Sequence, residues 1–258
     1  MTKSKSLGFS LVELMIALSI GLVVVGAVLA FTLSSVTTNS EYIQSTRLSQ
    51  ELRNSMDFVS RELRRAGYDQ DYASYTARST VAAPVISPFG RIFATADANG
   101  SGPATDSCVI YAYDRDAGTR GAVDLARGEI RAIRLGYTPA GVGVIEVAES
   151  ATGVTPTCGG AAPDYTKFPA TCSSAGWCAL SDPAVINITA FNVTRNDLLQ
   201  AGSTTATPVV IREFNVELIG RLVRSADGTV TRGIRSTVKV RADCLEASTV
   251  CDDAPTGN

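Results

Sequence analysis

From residue 14 to residue 40 the chain has no charged side chain, and residues 14–33 form an almost wholly apolar run. A helix of roughly 20 such residues crosses about 30 Å of hydrocarbon, so this run must be buried in lipid or among other apolar helices. Glu13 stands at its edge, within "KSLGFSLVELMIALSIGLVVVG". A charge at mid-membrane costs about 2.5–3.5 kcal/mol on insertion scales, so an acid placed there awaits a cation.

The apolar N-terminus inflates the hydrophobic content of 45% over 258 residues. The remainder is moderately apolar, rich in Gly, Thr, Ser and Ala, with lysine only at Lys3, Lys5, Lys167 and Lys239. That composition suits an exported β-rich body with one core. Net charge is −2, and loss of Lys3 and Lys5 with a leader would make it −4, which gives no argument for a nucleic-acid partner.

All six cysteines, Cys108, Cys158, Cys172, Cys178, Cys244 and Cys251, follow the apolar run. An even count behind an export-type segment fits disulfides in an oxidising compartment. Pairing of neighbours is the preferred reading: Cys244 with Cys251, Cys172 with Cys178, and Cys108 with Cys158 by elimination. Zinc is disfavoured because the chain has no C-x-x-C and no histidine. The missing histidine also excludes Ser-His-Asp and Cys-His mechanisms. No motif for carboxylate or Ser-Lys catalysis is found, so no catalytic residue, cofactor or metal site is expected.

Three readings of the N-terminus compete. A secretory signal would use Lys3 and Lys5 as its basic region and Val28-Leu29-Ala30 as a cleavage site, but its apolar core usually runs only about 7–15 residues. An uncleaved anchor fits the hydropathy equally well. Neither explains Glu13, and no cysteine follows the run at lipoprotein spacing. The third reading starts from Gly8-Phe9-Ser10-Leu11-Val12-Glu13, which resembles the processing site of type IV prepilins. The resemblance implies that a dedicated membrane peptidase cuts after Gly8, that the new terminal Phe9 is N-methylated, and that the apolar stretch stays as an anchor. The amine released on Phe9 is then a cation for Glu13. In one straight helix it could approach its own Glu13, and in the family the proposed partner is the acid of a neighbouring subunit. Removing either member would strand the other in low dielectric. Some tip subunits lack this acid, so its presence implies another subunit above this one.

Past the apolar run, Ile43, Leu48, Leu52, Met56, Val59 and Leu63 recur mostly four apart and predict one apolar stripe on a helix. Asp57 with Arg61 and Glu62 with Arg65 fall at pair spacings that support an exposed face. Arg47, Arg53, Arg61, Arg64 and Arg65 read as a solvated face. Gly67 supplies the stop. As one helix, residues 9–66 would span about 87 Å at 1.5 Å per residue. The segment "RNSMDFVSRELRRAGYD", at this distance from the processing site, resembles the PilW family of minor pilins. The later "SCVIYAYD", after a Gly/Asp-rich loop, is also similar. These motifs cover about the first quarter of the chain and one strand.

Residues 69–106 read as a long connection with one short strand near 91–94. Strands are predicted at 108–113, 129–136, 142–147, 186–194, 209–222 and 230–241, with an irregular cysteine-bearing stretch at 148–183. In the last two strands apolar and polar residues alternate. A two-residue Asp227-Gly228 turn would pair Phe214 with Arg241. A three-residue loop, Ala226-Asp227-Gly228, pairs Phe214 with Val240 and Val216 with Val238, and that hairpin, packed on the amphipathic half of the helix, is the one expected. The sequence from Asp97 to Gly102 echoes a calcium loop, but its twelfth position is Cys108 where a bidentate Glu belongs, so it reads as a surface turn.

The expected fold is α+β and type IV pilin-like: a leader (1–8), a long helix (9–66; apolar over about 9–35, then amphipathic) and an antiparallel β-sheet head (67–258). The resemblance implies a minor pilin that primes pilus assembly and co-assembles at the tip, supporting adhesion, twitching motility or DNA uptake. Its partners would be other minor pilins, the major pilin, the prepilin peptidase/methyltransferase, the inner-membrane assembly platform, and lipid before assembly. It would sit in the inner membrane with its head in the periplasm, and later in the pilus. A type II secretion pseudopilin is the alternative, and a membrane-anchored or secreted periplasmic binding domain comes second.

Overall fold

The structure, a computed structural model, describes residues 10–78, 87–96, 107–115, 121–199, 210–223, 230–242 and 255. The chain divides into two units, residues 1–47 and 48–258. Helix α1 (Leu11–Arg65) contributes to both. In the first unit its apolar side chains, from Leu11 to Val36, are exposed. The hydroxyls among them turn back onto the helix: Ser19 donates to the carbonyls of Met15 (2.8 Å) and Ile16 (3.0 Å), and Thr32 to that of Val28 (2.8 Å). Such internal satisfaction is what hydrocarbon demands of a polar group.

The second unit opens on the predicted stripe. Leu48, Leu52, Met56, Val59 and Leu63 are all buried, as is Ala66, whereas Ile43, in the first unit, is exposed. Gly67 ends the helix with φ of 76°, the left-handed conformation that favours glycine, behind Arg64 and Arg65 in the last turn. Its N–H donates to the carbonyl of Ala112 (2.8 Å), tying the helix end to a strand.

There follow α2 (Tyr72–Arg78), β1 (Ile92–Ala96), β2 (Ser107–Ala112), β3 (Ile130–Tyr137), β4 (Gly143–Glu149), β5 (Trp177–Ala179), β6 (Ile186–Arg195), β7 (Leu198–Leu199), β8 (Val210–Ile211), β9 (Glu213–Leu222) and β10 (Thr231–Lys239). Strands β1 to β5 form an antiparallel sheet in sequence order, and β10-β9-β6 form a second. Among the described residues β7 pairs only with β8. The α+β expectation is met.

The first sheet is buried on both faces. Val109 and Tyr111 of β2, Ile133 and Leu135 of β3 and Ile145 of β4 share a core with the α1 stripe and with Phe191, Phe214, Val216, Leu218 and Val238 of the second sheet. Their neighbours one residue along, Cys108, Ile110, Ala112, Ile130, Ala132 and Ala148, form a second core with Phe89 and Trp177. A strand wrapped on both sides loses the alternation that betrays a half-buried one, and β2 is buried at every residue.

Three expectations are corrected. The connection over 69–106 contains α2, whose seven residues are too few to show a helical period. The stretch 148–183 contains β5, three residues held as a strand by pairing with β4. The β9–β10 hairpin forms, but it pairs Phe214 with Val238 and Val216 with Ser236, two residues away from the expected register. A slip of two preserves which side chains face the core, so alternation cannot detect it. The observed register sets Arg235 opposite Glu217, with Nη2 2.6 Å from Oε1, and lets Thr237 donate to Asn215 Oδ1 at 2.8 Å. The Ala226-Asp227-Gly228 loop lies outside the described residues.

At Gly143 the two sheets approach each other closely. Its N–H donates to Asn187 Oδ1 (2.9 Å), and a β-carbon there would overlap the Ile188 carbonyl oxygen, beside a bulge in β6. Gly143→Ala should therefore cost about 1–3 kcal/mol, the usual penalty for overpacking, read as a lower urea midpoint with an unchanged slope. Wild-type stability in the alanine variant would contradict this contact.

Candidate functional site

The candidate functional features are the Gly8-Phe9 motif and the helix behind it. Gly8 and Phe9 lie outside the described residues. Glu13 occupies the first turn of α1, where the helix dipole favours an acid, and it is exposed. No Lys or Arg occurs between Lys5 and Arg47, so α1 brings no side-chain cation near it along the helix. This helix is long and apolar enough to cross a membrane.

Within the second unit, Glu62 anchors α1 to the first sheet. The spacing anticipated its pairing with Arg65 (3.4 Å), but Glu62 is 3% exposed rather than on a wet face. Its neighbours in the sequence gave the clue: it lies beside Leu63 and three residues from Val59, both at the stripe. From inside, Glu62 Oε2 accepts from Tyr111 Oη (3.1 Å) and from Arg131 Nη1 (3.2 Å). Arg131 Nη2 reaches on to Glu149 (2.8 Å), and its guanidinium lies 5.5 Å from the Tyr113 ring centroid. Burial, and then the charge of Glu62, push the Tyr111 hydroxyl well above its ordinary range, so it stays a donor to the carboxylate.

A second buried pair fastens the cysteine-bearing stretch over the outer face of the first sheet. Arg134 of β3 and Glu146 of β4 face each other across the ladder at 2.7 Å, both almost fully buried. Burial pushes the Glu146 carboxyl up, and Arg134 pulls it back only in part. Arg134 Nη1 also donates to the carbonyls of Cys158 (2.6 Å) and Gly160 (2.8 Å), and its guanidinium lies 4.0 Å from the Trp177 ring centroid. Tyr165 donates to the other oxygen of Glu146, and Trp177 Nε1 to the carbonyl of Thr157 (3.2 Å). Sequence reasoning missed this cluster. Its signal was a charge set between two large apolar residues in each strand, Arg134 between Ile133 and Leu135 and Glu146 between Ile145 and Val147.

The disulfides frame the same stretch. Cys108 of β2 is bonded to Cys158, and Cys172 to Cys178, with Cα atoms 5.9 Å and 4.3 Å apart. Cys244, Cys251 and the turn from Asp97 to Gly102 lie outside the described residues.

Comparison with known proteins gives two matches. The family described as prepilin peptidase-dependent protein B matches residues 41–240, and the prokaryotic N-terminal methylation motif matches residues 3–29. No curated protein and no solved structure matches the chain.

Arg134→Met would leave Glu146 buried without its cation and free two carbonyls. The expected loss is about 3–5 kcal/mol, followed by the fluorescence of Trp177, the chain's one tryptophan. Adding Glu146→Leu should restore part of that loss, because a fully apolar pair strands no charge. If the double variant is no better than the single, the carbonyl bonds and not the ion pair hold the stretch.

Proposed function

The chain belongs to the prepilin peptidase-dependent protein B family of pilin-like proteins, and from that premise we propose that it is a minor pilin of the PilW type. The protein is inserted in the inner membrane by residues 9–35 with its head in the periplasm. The peptidase cuts between Gly8 and Phe9 and methylates the new Phe9 amine. The apolar helix then leaves lipid for a filament, where the head contacts other minor pilins and the chain primes polymerisation at the tip. The role is structural, with no catalysis.

The observation that carries this reading is the lone acid at the head of an apolar segment that has no other charged side chain as far as residue 40. Inside a filament the helix exchanges lipid tails for other apolar helices, so apolar burial alone favours no particular axial step. A carboxylate that must meet a Phe9 amine does favour one, because an unpaired charge in low dielectric is the costly case.

Mass spectrometry of membrane-extracted protein tests the processing step. The expected N-terminus is Phe9 bearing one added methyl, and it should depend on the peptidase. An intact Met1, or a terminus at Phe31, would overturn the proposal. Glu13→Leu should leave that cleavage intact and lower incorporation into sheared filaments by about tenfold or more, the consequence of losing one buried ion pair. Equal incorporation of the variant would remove Glu13 from the mechanism. Capture of secretion components in place of pilus components would move the chain to the pseudopilins.

A further inference from the structure

Five segments distant in sequence converge on one cleft of the second unit. Arg65 ends α1, Tyr68 follows it, Tyr113 to Arg115 follow β2, Arg131 lies in β3, and Arg241 follows β10. Together they line a hollow of about 410 Å³. Four guanidinium groups in so small a space need anions, and those present are shared. Glu62 serves both Arg65 (3.4 Å) and Arg131 (3.2 Å), and Glu149 serves both Arg131 (2.8 Å) and Arg115 (3.7 Å). Asp114 is the one acid in the wall, and it already accepts the N–H of Gln70 at 3.2 Å. The lining itself therefore carries four guanidinium groups and one carboxylate. In addition, the buried Nε of Arg131 has no hydrogen-bond partner among the described residues.

We propose that this cleft is a recognition site for a carboxylate side chain in an acidic peptide segment of a neighbouring subunit. The reading rests on the assembly role above and gives the partner's chemistry. A planar guanidinium presents paired donors that match a carboxylate in two-point geometry. Arg131 already holds the side-chain carboxylates of Glu62 and Glu149 at 3.2 and 2.8 Å, so a carboxylate is the anion whose fit here is seen. Tyr68, half exposed, offers apolar ring surface on which the methylene stem of Glu can rest. Arg115 and Arg241 border the cleft from exposed loops, so they can close on a ligand without disturbing the core.

The test uses the full chain in a neutral detergent and fluorescently labelled hexaglutamate, with labelled hexaglutamine as reference. Hexaglutamate should bind, and more weakly as salt rises. The double variant Arg115→Gln/Arg241→Gln should weaken binding about tenfold or more, with the melting temperature unchanged. Arg53→Gln/Arg61→Gln, on the exposed face of α1, should change nothing. Should the double variant melt lower, Arg241→Gln alone decides, with a weakening of at least threefold expected at unchanged melting. Hexaglutamine binding as well as hexaglutamate, binding indifferent to Arg115 and Arg241, or complete displacement by equimolar inorganic phosphate would each overturn the proposal. Peptide binding needs neither processing nor a filament. Correct processing and assembly without binding would therefore remove only the cleft, and binding in a chain that retains Met1 would remove only the pilin reading.

Discussion

Both β-sheets of the second unit depend on one helix face, the one carrying Leu48, Leu52, Met56, Val59 and Leu63. The three-stranded sheet turns Phe191, Phe214, Val216 and Leu218 toward it, and the five-stranded sheet turns Val109, Tyr111, Ile133 and Ile145. At about 1.5–3 kcal/mol for each large apolar side chain fully buried, this stripe contributes on the order of ten kcal/mol before the cost of ordering the chain. Without it, each sheet would have an inner face open to water. The helix is therefore a component of the core as well as the carrier of the apolar segment.

Two buried ion clusters refine what that burial permits. Apolar packing tolerates small slides of a helix along a sheet, whereas Glu62 accepts from Tyr111 and Arg131 only at one axial position. The pair of Arg134 and Glu146 acts likewise on the outer face, where it selects the carbonyls of Cys158 and Gly160 and the ring of Trp177. Buried pairs of this kind add little net stability compared with apolar replacements. Here they define position. The disulfide from Cys108 to Cys158 holds the same stretch by a covalent route.

What could be read in advance follows from how far each interaction reaches along the chain. The α1 stripe from Leu48 to Leu63 and the stop at Gly67 are local, and they stand where the residues place them, while Ile43, read as part of the same stripe, is exposed. Strands β6, β9 and β10 alternate because one face of their sheet is wet. Strand β2 does not alternate, yet its unbroken apolar run still marked it. The β9–β10 register was missed by two residues because apolar alternation is blind to a slip of one full period. The cross-strand bonds of Arg235 to Glu217 and Thr237 to Asn215 fit the observed register, and that information lies in the pairing of two segments.

The same division holds for function. By itself the sequence determined the apolar segment, the single acid at its head, the Gly8-Phe9 motif and the amphipathic continuation, because each depends on residues within a few helical turns of one another. Only the tertiary structure decided that Glu62 is an interior anchor, that Arg134 and Glu146 meet under Trp177, and that Arg65, Arg115, Arg131 and Arg241 share a cleft. Those residues lie on separate strands and loops, and charged side chains so far apart in sequence become neighbours only when burial of the apolar faces brings their elements together.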